Sequence, residues 1–285
     1  MNFRTDLAIE NYEFTEEKQL RGVKVEKSNF GGCFVSRIEV LDEYGAEAVG
    51  KPKGIYVTVE VEPFAKQPHF IDSSLQVLID EMKNLLPEKG SVLVAGLGNT
   101  GITPDALGPK CASMIFATRH IKGELLKSTG FESLRSVSTF STGVLGNTGA
   151  EAGELIKGAV DVLKPDFVIT VDALAARSVN RLGNTVQMCN SGIVPGAGVG
   201  NARQEISEKT LGIPVYAIGV PTVVDAATLI YDYSGGAASD AATQMMVTPR
   251  EIDLMIERAA KTVSLAINCA LQPDISAEDM LILTA

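Results

Sequence analysis

A chain of 285 residues that is 45% hydrophobic and 21% charged can bury one large α/β core, and its composition excludes wholesale disorder. Its formal net charge of −10 disfavours direct binding to nucleic acid through phosphates. No stretch reaches the roughly 18 apolar residues of a membrane span, and the opening MNFRTDLAIENYEF is no secretory signal, so a cytoplasmic protein with no membrane partner is expected.

Residues 1–20 are polar and mixed, and they read as an arm that need not belong to the core. From Gly22 to Val61 apolar residues alternate through VKVEKS, CFVSRIEVL and IYVTVEVEPF. That period of two predicts a small antiparallel set, with turns at Gly31-Gly32 and Lys51-Pro52-Lys53-Gly54. Asp72 or Ser73 can cap a helix running to about Leu86, with Leu75, Leu78, Ile79 and Met82 on its apolar face. A buried strand at 92–95 then meets Gly96 and Gly98, and Thr103-Pro104 opens a helix over 104–122 with Asp105 in its first turn.

An extended segment over 134–141, a loop at 142–148 and a helix over 150–163 follow, and Lys164-Pro165 stops the helix. Strand 167–171 ends at Asp172, while strands 185–189 and 214–220 flank the glycine-rich GIVPGAGVGN. Residues 234–243 form a small-residue loop, and the last helix starts at Pro249 with Thr248 as its cap. Strands spaced by helical patterns predict an α/β fold built on a mixed, mostly parallel sheet covered by helices on both faces. The strand-rich portion at 22–70 belongs to the same single domain as the segments that follow it.

Gly96-Leu97-Gly98-Asn99-Thr100-Gly101 matches the dinucleotide pattern G-x-G-x-x-G, yet the acid at the required distance, Glu124, falls in a helical or post-helical region. A tight strand-to-helix turn explains the same glycines. Asp105 is stabilised by the helix macrodipole without any function, and Asp172 can simply cap the turn into ALAARS. Asp172 nonetheless closes a buried strand, where open α/β sheets place their ligand crevice. If both acids face one crevice they cannot both ionise cheaply, so one holds a proton while the other acts as base. Such a pair can activate water against an amide and protonate the leaving nitrogen with neither metal nor cofactor.

The rest of the composition is compatible with that chemistry. Only His69 and His120 are available as imidazoles, and Cys33, Cys111, Cys189 and Cys269 lie far apart with no C-x-x-C pair. The loop at 192–200 presents backbone N–H groups ahead of Asn201 and Arg203. Gly98, Asn99, Gly196, Gly198 and Arg203 are the candidate substrate-binding residues, with a plain surface loop as the alternative. Arg177 is the other cation near these loops.

Several long blocks resemble the germination protease family of spore-forming bacteria. They are RTDLAIE at 4–10, GLGNTGITPDALGPK at 96–110, TRHI at 118–121, VDALAARSV at 171–179, SGIVPGAGVGNARQEIS at 191–207, TLGIPVYAIGVPTVVDA at 210–226 and VTPREID at 247–253. The resemblance implies an atypical aspartic endopeptidase that degrades small acid-soluble spore proteins, with a fold similar to that of the hydrogenase-maturation proteases. It implies that Asp105 and Asp172 are catalytic, that no cofactor is used, and that the enzyme is a homotetramer in the spore core, made as a zymogen. Self-cleavage carries over to the Asp6–Leu7 bond, leaving a leader shorter than is usual for the family. Glu13-Phe14 resembles the Glu-hydrophobic sites cut in the spore proteins. Between Asp232 and Val247 only SGGAASDAATQMM stands where the family carries a long insertion.

Other readings are a hydrogenase-maturation-type protease, which would want a histidine such as His120 beside the acids, and a nucleotide-binding module using the glycine loops. A peptide-binding protein without catalysis is the third.

Overall fold

The structure, a computed structural model, describes residues 4–15, 20–67, 69–129, 131, 134–236 and 238–284. Among these residues the strands are β1 (Val23–Phe30), β2 (Cys33–Val40), β3 (Gly54–Glu60), β4 (Val92–Leu97), β5 (Val137–Gly143), β6 (Phe167–Ala176), β7 (Thr185–Cys189), β8 (Val215–Asp225) and β9 (Met246–Val247). They form one sheet in the order β1-β2-β3-β7-β8-β6-β4-β5, with β9 on the end of β8. β5, β4, β6 and β8 run parallel. β1, β2, β3 and β7 join them through antiparallel pairs, so the predicted N-terminal strands extend the main sheet. Gly31 and Gly32, at φ 58 and 86, make the two-residue turn that pairs Phe30 with Cys33.

The helices are α1 (Ala8–Glu13), α2 (Glu43–Val49), α3 (Ser73–Leu85), α4 (Leu107–Ser113), α5 (Glu124–Thr129), α6 (Leu145–Thr148), α7 (Ala152–Leu163), α8 (Glu208–Leu211), α9 (Ala226–Ser234), α10 (Ile252–Leu271) and α11 (Ala277–Leu283). Successive strand residues point to opposite faces. Val92, Val94, Ile169 and Val171 therefore meet α3, α4 and α10 on one face, while Leu93, Ala95 and Val168 meet α7 and α8 on the other. The sheet is thus mixed and covered on both faces, as the alternation of patterns predicts.

Several boundaries differ from expectation. The helix expected over 104–122 is a 3-10 turn at Thr103–Asp105 followed by α4, which ends at Ser113. Asn268 of α10 draws the chain out of the helix, accepting from Phe116 N–H at 3.0 Å and donating to Met114 O at 2.9 Å. The last helix begins at Ile252 with Glu251 as its N-cap, not at Pro249, because Met246–Val247 are taken up as β9. β6 continues past Asp172 to Ala176, since β8 pairs with it along that whole length. α2 falls inside the stretch at 22–61 expected to hold only antiparallel strands, and α6 in the segment expected as loop.

The N-terminal arm is part of the core, contrary to its polar appearance; residues 1–3 and 16–19 lie outside the described set. Leu7, Ala8 and Ile9 are buried among Ile38, Tyr56, Leu174 and Ala176. Glu10, also buried, accepts from Arg177 N–H at 2.7 Å and Ser178 N–H at 2.9 Å, with Arg181 at 3.6 Å. Two turns of sequence are too short for this apolar face to declare itself against the surrounding polar residues. Leu7→Ala is therefore expected to destabilise the fold by about 2–5 kcal/mol, as for a buried leucine. Urea midpoints measure it, and an unchanged midpoint would return the arm to the surface.

Candidate active site

The crevice forms where two parallel strands part. β4 and β6 pair in register from Val92↔Phe167 to Gly96↔Val171, and there β4 leaves the ladder. Gly98, at φ 113, turns the chain away, and a side chain there would strike Asp105 O at 2.1 Å. Gly108 lets α4 start directly on the strand ends, since its missing Cβ would lie 2.2 Å from Leu97 O and 2.3 Å from Val171 O. Asp172 is the next residue of β6 after the last pair with β4. The cavity over this point has a volume of about 580 Å³ and is lined by Asp6, Asp105 and Asp172 together.

Asp105 closes the 3-10 turn, donating its N–H to Ile102 O at 2.8 Å while its carbonyl accepts from Asn99 N–H at 3.0 Å. Burial pushes its carboxyl up to about 6, opposed by a hydrogen bond from the Asn99 N–H. Asp172 is buried, and its Oδ1 accepts from Ala173 N–H at 2.9 Å. Burial first, then the charges of Asp105 and Asp6, raises it well above the usual carboxylate range. The two acids named from sequence thus line one cavity, and the charge of Asp105 adds to the rise at Asp172. Burial thus makes both acids hold a proton more firmly than a free aspartate does.

Asp6 is a third wall of this cavity. Its N–H donates to Ala175 O at 2.9 Å and its Oδ2 accepts from Ala175 N–H at 2.8 Å, so the arm docks on the edge of β6 that β4 has vacated. Burial raises its carboxyl, against the opposing charge of Lys51 and the N–H groups of Ala175 and Gly198. Lys51 lies in a second cavity of about 180 Å³, which Asp6 also lines. Leu7, on the other side of the expected cleavage bond, is fully buried.

The remaining sequence candidates divide. Gly98, Asn99, Gly196 and Arg203 line the large cavity. Gly198 does not; it packs behind Asp6, where a Cβ would fall 2.2 Å from Oδ2. Asn99 Oδ1 is already engaged by Gly101 N–H and the Asn147 side chain, at 2.9 and 3.1 Å. Arg203 faces Glu151 at 4.0 Å, and Arg177 pairs with Asp232 at 2.9 Å. Ile102, Leu145, Val199 and Met246 make an exposed apolar rim.

Sequence reasoning missed Thr248, which lines the cavity and whose buried Oγ1 has no hydrogen-bond partner among the described residues. It also missed Gln187, which holds the arm. His120 is exposed and lies off the cavity wall, so no imidazole joins the acids there. The glycine loop at 96–101 closes on Asp105 itself, and a carboxylate is a poor neighbour for a nucleotide phosphate. Among the described residues no group of three or more His, Cys, Asp or Glu is placed to hold a metal ion. Among them too, no helix is long and apolar enough to cross a membrane.

A family model described as "Germination protease" matches residues 4–234. A germination protease of Caldanaerobacter subterraneus subsp. tengcongensis is 40% identical over 316 aligned residues, covering 98% of this chain and 97% of the relative. One from Clostridium perfringens is 38% identical, covering 98% of each chain. One from Priestia megaterium is 44% identical over 80% of this chain and 65% of its own length. Among solved structures, the NiFe hydrogenase maturation protease HycI from Thermococcus kodakarensis KOD1 covers 66% of this chain and 98% of its own at 17% identity and a TM-score of 0.38.

Proposed function

The chain belongs to the germination protease family, and from that membership we propose an aspartic endopeptidase that cuts small acid-soluble spore proteins with Asp105 and Asp172. The observation that carries this reading is that both acids line one cavity, Asp105 pushed up to about 6 and Asp172 raised well above the usual carboxylate range. Environments that push paired acids apart assign the base and the acid.

Asp105, ionised, takes a proton from a water molecule as its oxygen bonds to the substrate's carbonyl carbon. Asp172, protonated, gives its proton to the amide nitrogen as the carbon–nitrogen bond breaks. The products are a carboxylic acid and an amine, and a proton passing from Asp105 to Asp172 resets the pair. The apolar rim at Ile102, Leu145, Val199 and Met246 suits a hydrophobic side chain beside the cut bond. The same pair removes the leader at Asp6–Leu7, which already lies against the cavity, so the unprocessed chain is a zymogen. The resemblance to the family further implies a homotetramer in the spore core.

The test is incubation of the purified chain with a purified small acid-soluble spore protein, followed by mass spectrometry of both. Internal cleavage of the substrate, a new N-terminus at Leu7 and undiminished activity in EDTA are expected. An intact substrate, or loss in EDTA that added metal restores, would overturn the reading.

A further inference from the structure

Gln187 sits on β7, which reads from sequence only as a short buried strand. In the sheet it is opposite Gly219 of β8, and Gly219 is in turn opposite Asp172 of β6. Residues paired across strands project to the same face, so Gln187 and Asp172 rise from one row about 9.5 Å apart, two strand spacings. Between them Gly219 has no side chain and Leu174 packs down onto it; a Cβ there would lie 2.6 Å from Leu174 Cγ and 2.7 Å from Asp172 O. Asp6 and Leu174 line both cavities, the larger one over Asp172 and the smaller one over Gln187.

The Gln187 side chain makes two hydrogen bonds to the arm, and they span the bond expected to be cut. Its Oε1 accepts from Ala8 N–H at 2.7 Å, and its Nε2 donates to Asp6 O at 2.9 Å. Chemistry fixes the orientation of the amide: a backbone N–H can only donate and a carbonyl can only accept. Ala8 is the first residue of α1, and Leu7 supplies no side-chain cap, so Gln187 satisfies an otherwise orphaned donor of that helix. With Oε1 tied down in this way, Nε2 is aimed at the Asp6 carbonyl by a buried and doubly bonded side chain.

We propose that Gln187 is a catalytic hydrogen-bond donor, whose Nε2–H binds the carbonyl oxygen of the peptide bond under attack, first that of Asp6 and then that of the substrate. The proposal rests on the reading that Asp105 and Asp172 perform the hydrolysis. When water adds to the carbonyl carbon, the carbon–oxygen double bond becomes a single bond and the oxygen gains negative charge. A donor already in place strengthens its bond at that moment without reorganisation. After the leader leaves, Ala8 N–H still holds Oε1, so the donor stays aimed for the next carbonyl.

Gln187→Met removes the donor at nearly constant shape. We expect self-cleavage at Asp6–Leu7 to slow, and kcat on a peptide substrate to fall, by about 100- to 1000-fold, with KM within about threefold. Loss of the helix anchor alone would lower the unfolding midpoint and leave kcat intact once the protein is folded. If the Met variant fails to fold, Gln187→Asn withdraws the donor by about 1.5 Å, one carbon–carbon bond, and must show the same loss in kcat. A folded variant with kcat within about fivefold of wild type, or a defect confined to KM, would overturn the assignment. Asp105→Asn is measured in parallel: if it stays active the acid pair fails as the engine, whereas an inactive Asp105→Asn beside an active Gln187 variant sinks only this inference.

Discussion

Asp105→Asn and Asp172→Asn each lower kcat for peptide hydrolysis by about a thousand-fold or more, with the fold intact. General acid–base groups typically contribute factors of about 100 to 10,000, and the proposed mechanism uses two such groups in one reaction in which neither can replace the other. Asparagine matches aspartate in shape, leaves the bond from Asn99 N–H to the backbone carbonyl of residue 105 in place, and keeps the oxygen that accepts from Ala173 N–H at residue 172. What it loses is proton chemistry. At residue 105 nothing remains to take the proton of water; at residue 172 nothing protonates the leaving nitrogen. Steady-state cleavage of a spore protein or a peptide from it reads the effect. Either variant retaining more than about a tenth of wild-type kcat would contradict the assignment.

The same Asp172→Asn substitution stabilises the protein, and the gain grows as pH rises. Both carboxyls have folded-state values above the unfolded value of 3.8, Asp105 at about 6 and Asp172 also raised well above it. The folded state therefore keeps protons that the unfolded chain has released once pH passes about 4. Their stabilising contribution is complete below that point and is lost as pH climbs through the folded values, at up to about 1.4 kcal/mol per pH unit for each proton held. An asparagine in place of Asp172 carries no such liability, although Asp6, Lys51 and Glu151 remain nearby. Denaturant midpoints at pH 5 and pH 8 should show the variant above wild type, with the gap wider at the higher pH. Parallel curves would mean that Asp172 is solvated like an ordinary surface acid. A group that costs stability where it performs chemistry is the usual signature of a functional site.

Legibility from sequence followed the reach of each signal. Asp105 and Asp172 could be found because each closes a local pattern, an apolar strand run into a glycine loop in one case and the end of FVITV in the other. The hairpin at Gly31-Gly32 and the amphipathic α3 and α7 were equally local. The early end of α4 was not, because it depends on Asn268 reaching back across more than 150 positions to Phe116 and Met114. Asp6 and Gln187 were hidden for the same reason. One reads as part of a detachable leader and the other as a strand residue, and only the sheet order brings them to Asp172. The sole sequence hint at Gln187 was a polar residue at the centre of TVQMC, a strand otherwise fit for burial. Thr248 reads as a helix cap because Thr-Pro is a strong start signal, but pairing of Met246–Val247 with β8 overrides it.

The central claim is the unequal sharing of protons between two acids over one groove. Carbon-13 NMR of selectively labelled aspartate carboxyl groups, followed against pH in the intact protein, reads it without any substrate. Asp105 should titrate near 6, and Asp172 should keep its proton well above the ordinary aspartate range. Two independent steps near the ordinary aspartate value of about 3.9 would contradict the account and leave the pair without an acid.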